Sequence, residues 1–266
     1  MDIVEAANTI ARWCALRDVD ELAPNTADLF VLFGGAIIGS VDALAHAMQQ
    51  GAARHYAIVG GRGHATYLLD QSMERELTSW DTARCDAPKP CVDSEAQMLS
   101  ALLCKRWDLR VDFLETRSTN CGNNIAFLLD ELDTWDTTPA SVVLCQDAVM
   151  QRRMDATWQR HVRDRMRYAN VRRINWPSYE ARLGWDGNAL AWELAPEGMW
   201  PIDTYLNMLV GEVMRLTNDE RGYGPRGSDF VAEVDVPAKV HDAAETLRRL
   251  RGAGRAPDDR YAKVAE

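Results

Sequence analysis

The chain has 266 residues, 47% of them hydrophobic and 26% charged, which is the composition of a globular protein with one large domain or one domain with additions. Its 30 basic and 40 acidic residues give a net charge of −10, which argues against a general nucleic-acid or anionic-membrane binder. The longest apolar run, 31–39, is about half as long as a membrane span. We therefore expect no nucleic-acid partner and no membrane partner.

The cysteines and the first residues indicate a cytoplasmic location. Six cysteines are scattered along the chain rather than grouped, and residues 1–13 have a polar, helical pattern instead of a signal peptide. Reduced thiols in the cytoplasm are the expected state. No histidine pair has metal-ligand spacing, and Cys85 and Cys91 lack a second cysteine pair, so no metal site is predicted.

The first two thirds of the chain alternate short apolar runs with helical patterns. The predicted elements are helix 2–17, strand 28–33, helix 41–48, strand 55–59, helix 95–103, strand 111–114, helix 125–132, strand 141–145, a helix from about 149 and strand 171–175. Residues 70–92 are polar and contain two prolines, which predicts a long excursion outside the core.

This alternation predicts an α/β fold over 1–180, with a Rossmann-like open, mainly parallel sheet flanked by helices. The pattern changes beyond residue 180. A loop-rich stretch, a helix over 202–216, a Gly- and Pro-rich loop at 221–230 and a helix over 238–251 predict a helical C-terminal addition, 181–251, packed on the first domain. The tail, 252–266, is expected to be disordered.

Four predicted strands end in polar or glycine-rich turns, at 34–35, 60–64, 118–124 and 146–147. Ligands of open parallel sheets bind beyond the carboxyl ends of the strands, so these turns predict one small-molecule site. The expected pocket contains Gly34, Gly61, His64, Glu95, Asn120 and Asp147. The stretch 118–124 is unusually dense in small and amide side chains before a helix, although a well-capped helix start would also explain it.

The chemistry of this site is less well indicated. The turn at 60–64 lacks the spacing of a dinucleotide fingerprint, and no acid follows the second strand to hold a ribose. The candidates for acid–base catalysis are Glu95, Asp147 and His64, and for each a capping or packing role is equally expected. The many arginines of 152–173 indicate either a solvated basic helix face or a surface for an anionic partner.

Several motifs occur together in a known order. They are Gly60-Gly61-Arg62-Gly63-His64, Ser118-Thr119-Asn120-Cys121-Gly122, Gln146-Asp147 with Met150-Gln151-Arg152-Arg153, and Trp200-Pro201 with Gly222-Tyr223-Gly224-Pro225-Arg226-Gly227. On these motifs the chain resembles, from about Ile3 to about residue 250, the YdcF-like members of a family of domains of unknown function that also includes ElyC and SanA. The resemblance implies a Rossmann-like domain with a helical C-terminal addition that binds S-adenosylmethionine, with no established reaction.

Two positions depart from the pattern of that family. Asn123 stands where the wider family tends to have glutamate, and an amide cannot take a proton. Val59 stands before the double glycine where related chains often have serine. Both changes lower the expectation of catalysis more than that of binding.

Two functions are therefore considered. The first is binding of S-adenosylmethionine or a related adenosyl ligand. The second is a transferase or hydrolase acting on a phosphorylated substrate, in which Arg152, Arg153 and Arg226 clamp phosphate and Glu95 or Asp147 handles protons. The loop 221–230 is either a plain connector or a segment that closes the site, and we expect the second, with Arg226 pointing toward the pocket and contacting an acidic residue or a ligand anion. The candidate ligand-binding residues are Gly34, Gly35, Gly60, Gly61, Gly63, His64, Glu95, Ser118, Thr119, Asn120, Asn124, Gln146, Asp147, Arg152, Arg153, Tyr223 and Arg226.

Overall fold

A computed structural model describes residues 1–64, 66–77 and 94–250. The helices are α1 Ile3–Cys14, α2 Ser40–Gln49, α3 Thr66–Leu77, α4 Glu95–Trp107, α5 Cys121–Asp133, α6 Gln151–Val162, α7 Ile202–Leu216 and α8 Ala238–Leu250. The strands are β1 Ala27–Phe33, β2 Ala53–Val59, β3 Phe113–Glu115, β4 Ser141–Cys145, β5 Arg172–Asn175, β6 Arg182–Asp186 and β7 Ala189–Leu194. The expected excursion beyond residue 77 and the expected disorder of 252–266 lie outside the described residues.

Five strands form one parallel sheet in the order β3-β2-β1-β4-β5, which confirms the predicted Rossmann-like α/β fold. The central strand is β1, whose Val31 lies opposite Ala57 of β2 on one side and Leu144 of β4 on the other. The strand order reverses between β1 and β4. That reversal is the switch point of such a sheet, and it leaves a crevice beyond the carboxyl ends of these two strands.

Strand β1 is apolar along its whole length because helices cover both faces of the sheet. Phe30 and Leu32 pack with α2 and α4 on one face. Leu29, Val31 and Phe33 pack with α5 and α6 on the other. Since successive side chains of a strand point to opposite faces, this split follows directly from the period-2 geometry.

Helix α3 corrects the sequence prediction for the first part of 70–92. The chain is helical from Thr66 to Leu77, and Leu69 and Met73, four residues apart, are buried against α4 and its neighbours. The prediction was wrong because the other residues of this helix are largely polar, so only one narrow stripe carried the apolar signal.

Helices α1, α7 and α8 form a third layer together with the antiparallel hairpin β6–β7. This layer packs on Ile37 after β1 and on Val149 after β4, so it lies against the carboxyl edge of the sheet. The stretch predicted to be loop-rich is thus partly a hairpin, turning at Gly187-Asn188 with Gly187 at φ 58°. That dipeptide between two short runs is a hairpin signal, but neither strand has a consistently buried face.

No helix of the ranges described is both long and apolar enough to cross a membrane.

Candidate ligand-binding site

The turns after β1 and β2 meet with almost no space between them. A Cβ placed on Gly34 would overlap Oε2 of Glu95 and lie 3.1 Å from the Cα of Gly60. A Cβ on Gly60 would in turn lie 3.2 Å from the backbone nitrogen of Gly34. Only glycine fits at both positions. Because neither turn has a side chain here, the main chain approaches Glu95 closely.

Glu95 occupies this position because α4 begins there. Ser94 caps the helix by accepting a hydrogen bond from Gln97 N, and the Glu95 backbone N–H donates to Gly61 O at 2.9 Å. Its Oε1 accepts a hydrogen bond from Thr66 Oγ1 at 2.6 Å, and Thr66 Oγ1 accepts one from Gly63 N at 2.8 Å. Burial raises the pKa of Glu95, with the Thr66 hydrogen bond acting in the opposite direction. A carboxyl group in this setting can hold a proton or pair with a ligand cation.

The turn after β3 is tied to the turn after β2. Ser118 Oγ accepts a hydrogen bond from Gly61 N at 2.9 Å, and a Cβ on Gly61 would overlap the Ser118 carbonyl oxygen. Glu115, which sequence reasoning did not identify, supports this turn because its Oε1 accepts from Arg117 N at 2.6 Å and from Ser118 N at 3.1 Å. Ser118 therefore fixes the backbone of the site.

The remaining polar residues of this stretch mostly serve the start of α5. Asn120 Oδ1 accepts from Asn123 N at 3.0 Å, which is an N-cap hydrogen bond. Thr119 and Asn120 are exposed, and Thr119 Oγ1 donates to Asn123 Oδ1 at 2.8 Å. Asn124 is buried at 7% exposure. The capping interpretation thus accounts for the main side-chain contacts of Thr119 and Asn120.

Asp147, in the turn after β4, is almost completely buried. Asp147 is 3% exposed, and its Oδ1 accepts hydrogen bonds from Tyr179 OH at 2.6 Å and Val149 N at 2.9 Å. Its Oδ2 is buried and has no hydrogen-bond partner among the described residues. Burial raises the pKa of Asp147 to about 6. Gln146 and Gly35 lie at the switch point, since a Cβ on Gly35 would be 3.7 Å from Gln146 Oε1.

A charged cluster links this half of the site to the C-terminal addition. Arg153 Nε donates to Glu212 Oε2 at 2.7 Å, and Arg215 Nη1 donates to Glu212 Oε1 at 3.0 Å. Glu212 is fully buried and Arg153 is 14% exposed. Burial alone would lower the pKa of Arg153, but Cys121 and Glu212 raise it above its ordinary value. The cluster holds both guanidinium groups and one carboxylate next to the start of α5.

The sequence analysis did not identify Glu212 and Arg215 as site residues, although the position of Glu212 indicated a buried partner. Glu212 occupies the buried stripe of α7 between Leu209, Val213 and Leu216, where an apolar residue is the norm. A carboxylate on a core-facing stripe indicates a buried partner. Thr66 and Tyr179 carried no comparable signal, because their roles depend on which turns meet in space.

The remaining candidate residues are Arg152, His64 and Arg226. Arg152 Nε donates to Trp13 O at 2.6 Å, and its guanidinium lies 4.9 Å from the Trp13 ring, so this side chain binds α1. His64 is exposed in the turn before α3. Arg226 is exposed, and no carboxylate of the described residues lies within ion-pairing distance of it. The predicted contact of Arg226 with an acidic residue is therefore not found among the described residues, and its contact with a ligand anion stays a prediction.

The loop at 221–230 packs on the ends of α6 and α7. Tyr223 N donates to Arg215 O at 2.7 Å, and Asp229 Oδ2 accepts from Arg160 Nη2 at 2.8 Å. The loop thus lies beside the charged cluster, on the side where Arg153 and Arg215 are held.

Most arginines of 152–173 make hydrogen bonds or ion pairs with other residues of the protein. Arg165 pairs with Asp130 at 2.7 Å and Asp133 at 3.2 Å, Arg160 pairs with Asp164 and Asp229, and Arg173 pairs with Asp155. These contacts favour a structural, solvated face over a surface for an anionic partner.

Part of the predicted site is thus assembled by direct contact. Gly34, Gly60, Gly61, Gly63, Glu95 and Ser118 form one contiguous group. Asp147 follows β4 at the same edge of the sheet, but its carboxyl group bonds to Tyr179 and Val149 rather than to this group. His64 and Asn120 lie on the exposed turns of that edge. In the ranges with described coordinates, no three His, Cys, Asp or Glu side chains are grouped so that they could hold a metal ion.

No protein-family model matches the chain. The resemblance to YdcF-like proteins therefore rests on the quoted motifs.

Proposed function

We propose that this protein binds a small adenosyl ligand, S-adenosylmethionine in the first place, beyond the carboxyl ends of β1, β2 and β4. One observation carries the proposal. At the carboxyl edge of a sheet with Rossmann strand order, the bare glycine turns after β1 and β2 meet at the partly buried carboxyl group of Glu95. Such an edge is where ligands of this architecture bind.

The charges of the site match the charges of this ligand. S-adenosylmethionine carries a sulfonium cation, an ammonium group and a carboxylate. Glu95 supplies a carboxylate in a setting of low polarity, where pairing with a cation is strong. Arg153 and Arg215 both pair with Glu212, so a ligand carboxylate that binds there has to share them with that residue, while the amides of Asn124 and Gln146 suit ribose and adenine edges. The order of the YdcF-like motifs supports the same choice of ligand.

The test is calorimetric titration with S-adenosylmethionine and with S-adenosylhomocysteine, which lacks the sulfonium charge. The wild-type protein should bind the charged compound more tightly. Glu95→Gln should reduce that preference about tenfold, since a charge-assisted contact is worth about 1.5 kcal/mol or more. Glu193→Gln, a change at an exposed carboxylate of the hairpin, is the matched control. Equal affinity of the wild-type protein for both compounds, or no binding of either, would overturn the proposal.

Catalysis on a phosphorylated substrate remains the alternative. In its favour, Glu95 and Asp147 both have raised pKa values of the kind that general acids use. Against it, Arg152 is bound to the carbonyl of Trp13 and Arg153 to Glu212, which leaves Arg226 alone as an unpaired member of the expected phosphate clamp. Turnover of a phosphorylated compound, followed by mass spectrometry and lost in Asp147→Asn, would favour the alternative.

A further inference from the structure

A second recess lies away from Glu95, on the face of the sheet that α2 and α4 cover. These two helices lie over β1, β2 and β3. Over β4 and β5 the same face is covered by the irregular segment 17–24, whose Leu22 joins the apolar cluster of Ile174 and whose Asp18 N donates to Asn175 O at 3.0 Å. Such a segment fills less space than a helix. A groove of about 800 Å³ remains between this segment, α2 and residues 176–180, and we call it the flank groove.

The flank groove has an apolar floor and a rim rich in carboxylates. Leu22, Ala43, Trp176 and Pro177 provide the apolar surface. The carboxylates are Asp20, Glu21, Asp42 and Glu180, and Arg17 and His46 line the same groove. Arg106 Nη1 also lies 4.0 Å from Asp42 Oδ1. Its volume falls within the range of about 300–1,000 Å³ that is usual for small-molecule sites.

The rim carboxylates are only partly neutralised. Asp20 and Glu21 are exposed and have no ion-pair partner in the part of the chain that the structure describes. Glu180 faces Arg17 at 3.7 Å and is 70% exposed, which is a weak pair. The groove therefore has an excess of negative charge, and the occupant that complements it is a cation.

Two further contacts define what kind of cation fits. Ser178 lines the groove at 6% exposure, and its Oγ is buried without a hydrogen-bond partner among the described residues, so a ligand reaches this oxygen only when the side chain turns toward the groove. A hydroxyl in that state is a free acceptor for an N–H donor. The face of the Trp176 ring carries the Arg17 guanidinium at 4.0 Å from its centroid, so a bound amine would compete with Arg17 for that face.

We propose that the flank groove is a second ligand site, which binds a small organic amine with an apolar body. The ammonium group donates to Ser178 Oγ and faces the rim carboxylates, while the body packs on Leu22, Ala43 and Pro177. The groove does not include Glu95, although Tyr179 lines it and donates to Asp147 in the turn after β4. The proposal does not depend on the function proposed for the site that contains Glu95.

The test uses three probes with the same ring and different charge, namely 2-phenylethylamine, 2-phenylethanol and phenylacetate, titrated at low salt. The amine should bind about tenfold more tightly than the alcohol, because its charge adds hydrogen bonds to charged groups, and phenylacetate should bind most weakly. Equal affinity of the amine and the alcohol would overturn the proposal, as would the absence of amine binding at millimolar concentration.

Variants then locate the binding. Asp20→Asn combined with Glu21→Gln changes two exposed side chains, and it should weaken amine binding several-fold while leaving alcohol binding unchanged. Ser178→Ala should weaken amine binding without changing affinity for S-adenosylmethionine. Asp186→Asn, at an exposed carboxylate of the hairpin turn, is the control and should have no effect. Amine binding that is unaffected by both groove variants would place the amine elsewhere and overturn the proposal.

Discussion

The two halves of the carboxyl edge of the sheet are built in opposite ways. After β1 and β2 the turns are bare glycine, and the polar groups come from neighbouring helices as Thr66 and Glu95. After β4 and β5 the turns carry their own side chains, Asp147 and Tyr179, and the third layer covers them. Glu95 stays partly accessible, whereas Asp147 is 3% exposed.

Burial raises the pKa of both carboxyl groups, and what differs between the two halves is how far each group stays accessible to a ligand. A glycine turn leaves backbone N–H groups and a facing carboxyl group within reach of a ligand. A covered turn instead removes water from its carboxylate and shifts that group toward its neutral form. Burial is the main cause of the raised pKa of Asp147, and Glu212 of the C-terminal addition makes a smaller contribution in the same direction.

The largest expected effect on stability comes from breaking the charged cluster of Arg153, Glu212 and Arg215. Arg153→Met leaves the fully buried Glu212 with only Arg215 as partner, and we expect the free energy of unfolding to fall by about 3–4 kcal/mol. Urea denaturation measures this. The double variant Arg153→Met with Glu212→Met should recover most of the loss, because it removes the uncompensated charge. A single variant as stable as the double one would contradict this account.

The glycine turns after β1 and β2 are tested by adding one methyl group to Gly61. Gly61→Ala places a Cβ onto the Ser118 carbonyl and 2.7 Å from the Arg117 carbonyl carbon, so backbone must move. We expect a loss of about 2–3 kcal/mol in the free energy of unfolding.

Gly35→Ala is the matched control for that substitution. Its nearest contact would be an ordinary 3.7 Å from Gln146 Oε1, so thermal denaturation should show little change. Similar destabilisation by the two variants would mean that close backbone approach is not what distinguishes the turns.

The covered half should also give the protein a specific pH dependence. The pKa of Asp147 is about 6 in the folded state against about 3.8 when exposed, so between these values the unfolded chain ionises while the folded one keeps its proton. Stability attributable to Asp147 is thus greatest at low pH and falls by about 2 kcal/mol as pH rises from 4 to 7. Urea denaturation of the wild type and of Asp147→Asn across this range should show the difference. Parallel stability curves would contradict it.

The smallest effect on stability is expected in the loop beside the charged cluster. Arg226 is exposed and makes no ion pair within the described ranges, so Arg226→Gln should leave the melting temperature unchanged. If the loop closes the ligand site, affinity for S-adenosylmethionine should still fall about fivefold, equivalent to about 1 kcal/mol. Arg221→Gln, in the same loop, is the control. Identical affinities for the two variants and the wild type would make this loop a connector.

The central sheet was predictable because its signal is local. The run 28–33 is apolar throughout and ends in two glycines, which is typical of a buried parallel strand and its turn. The hairpin β6–β7 and helix α3 lack such a signal, since burial reaches only part of each element. Their structure is set by the layers that they contact.

The site was predictable in its backbone and only partly in its side chains. Glycines and strand ends locate the turns, so Gly34, Gly61 and Glu95 could be grouped without coordinates. Sequence does not reveal that Thr66 and Tyr179 donate to the two carboxyl groups, or that Arg152 points back to Trp13. Those contacts depend on how the third layer sits on the sheet.

The pairing of α1 with α8 has a consequence for the order in which the molecule can form. The apolar side of α1, with Ala7 and Ile10, packs on α7 and α8 rather than on the sheet. During synthesis α1 leaves the ribosome early, while its partners are made only after the sheet and the hairpin. The sheet can thus be completed before α1 finds its partners, and the layer that buries Asp147 closes last.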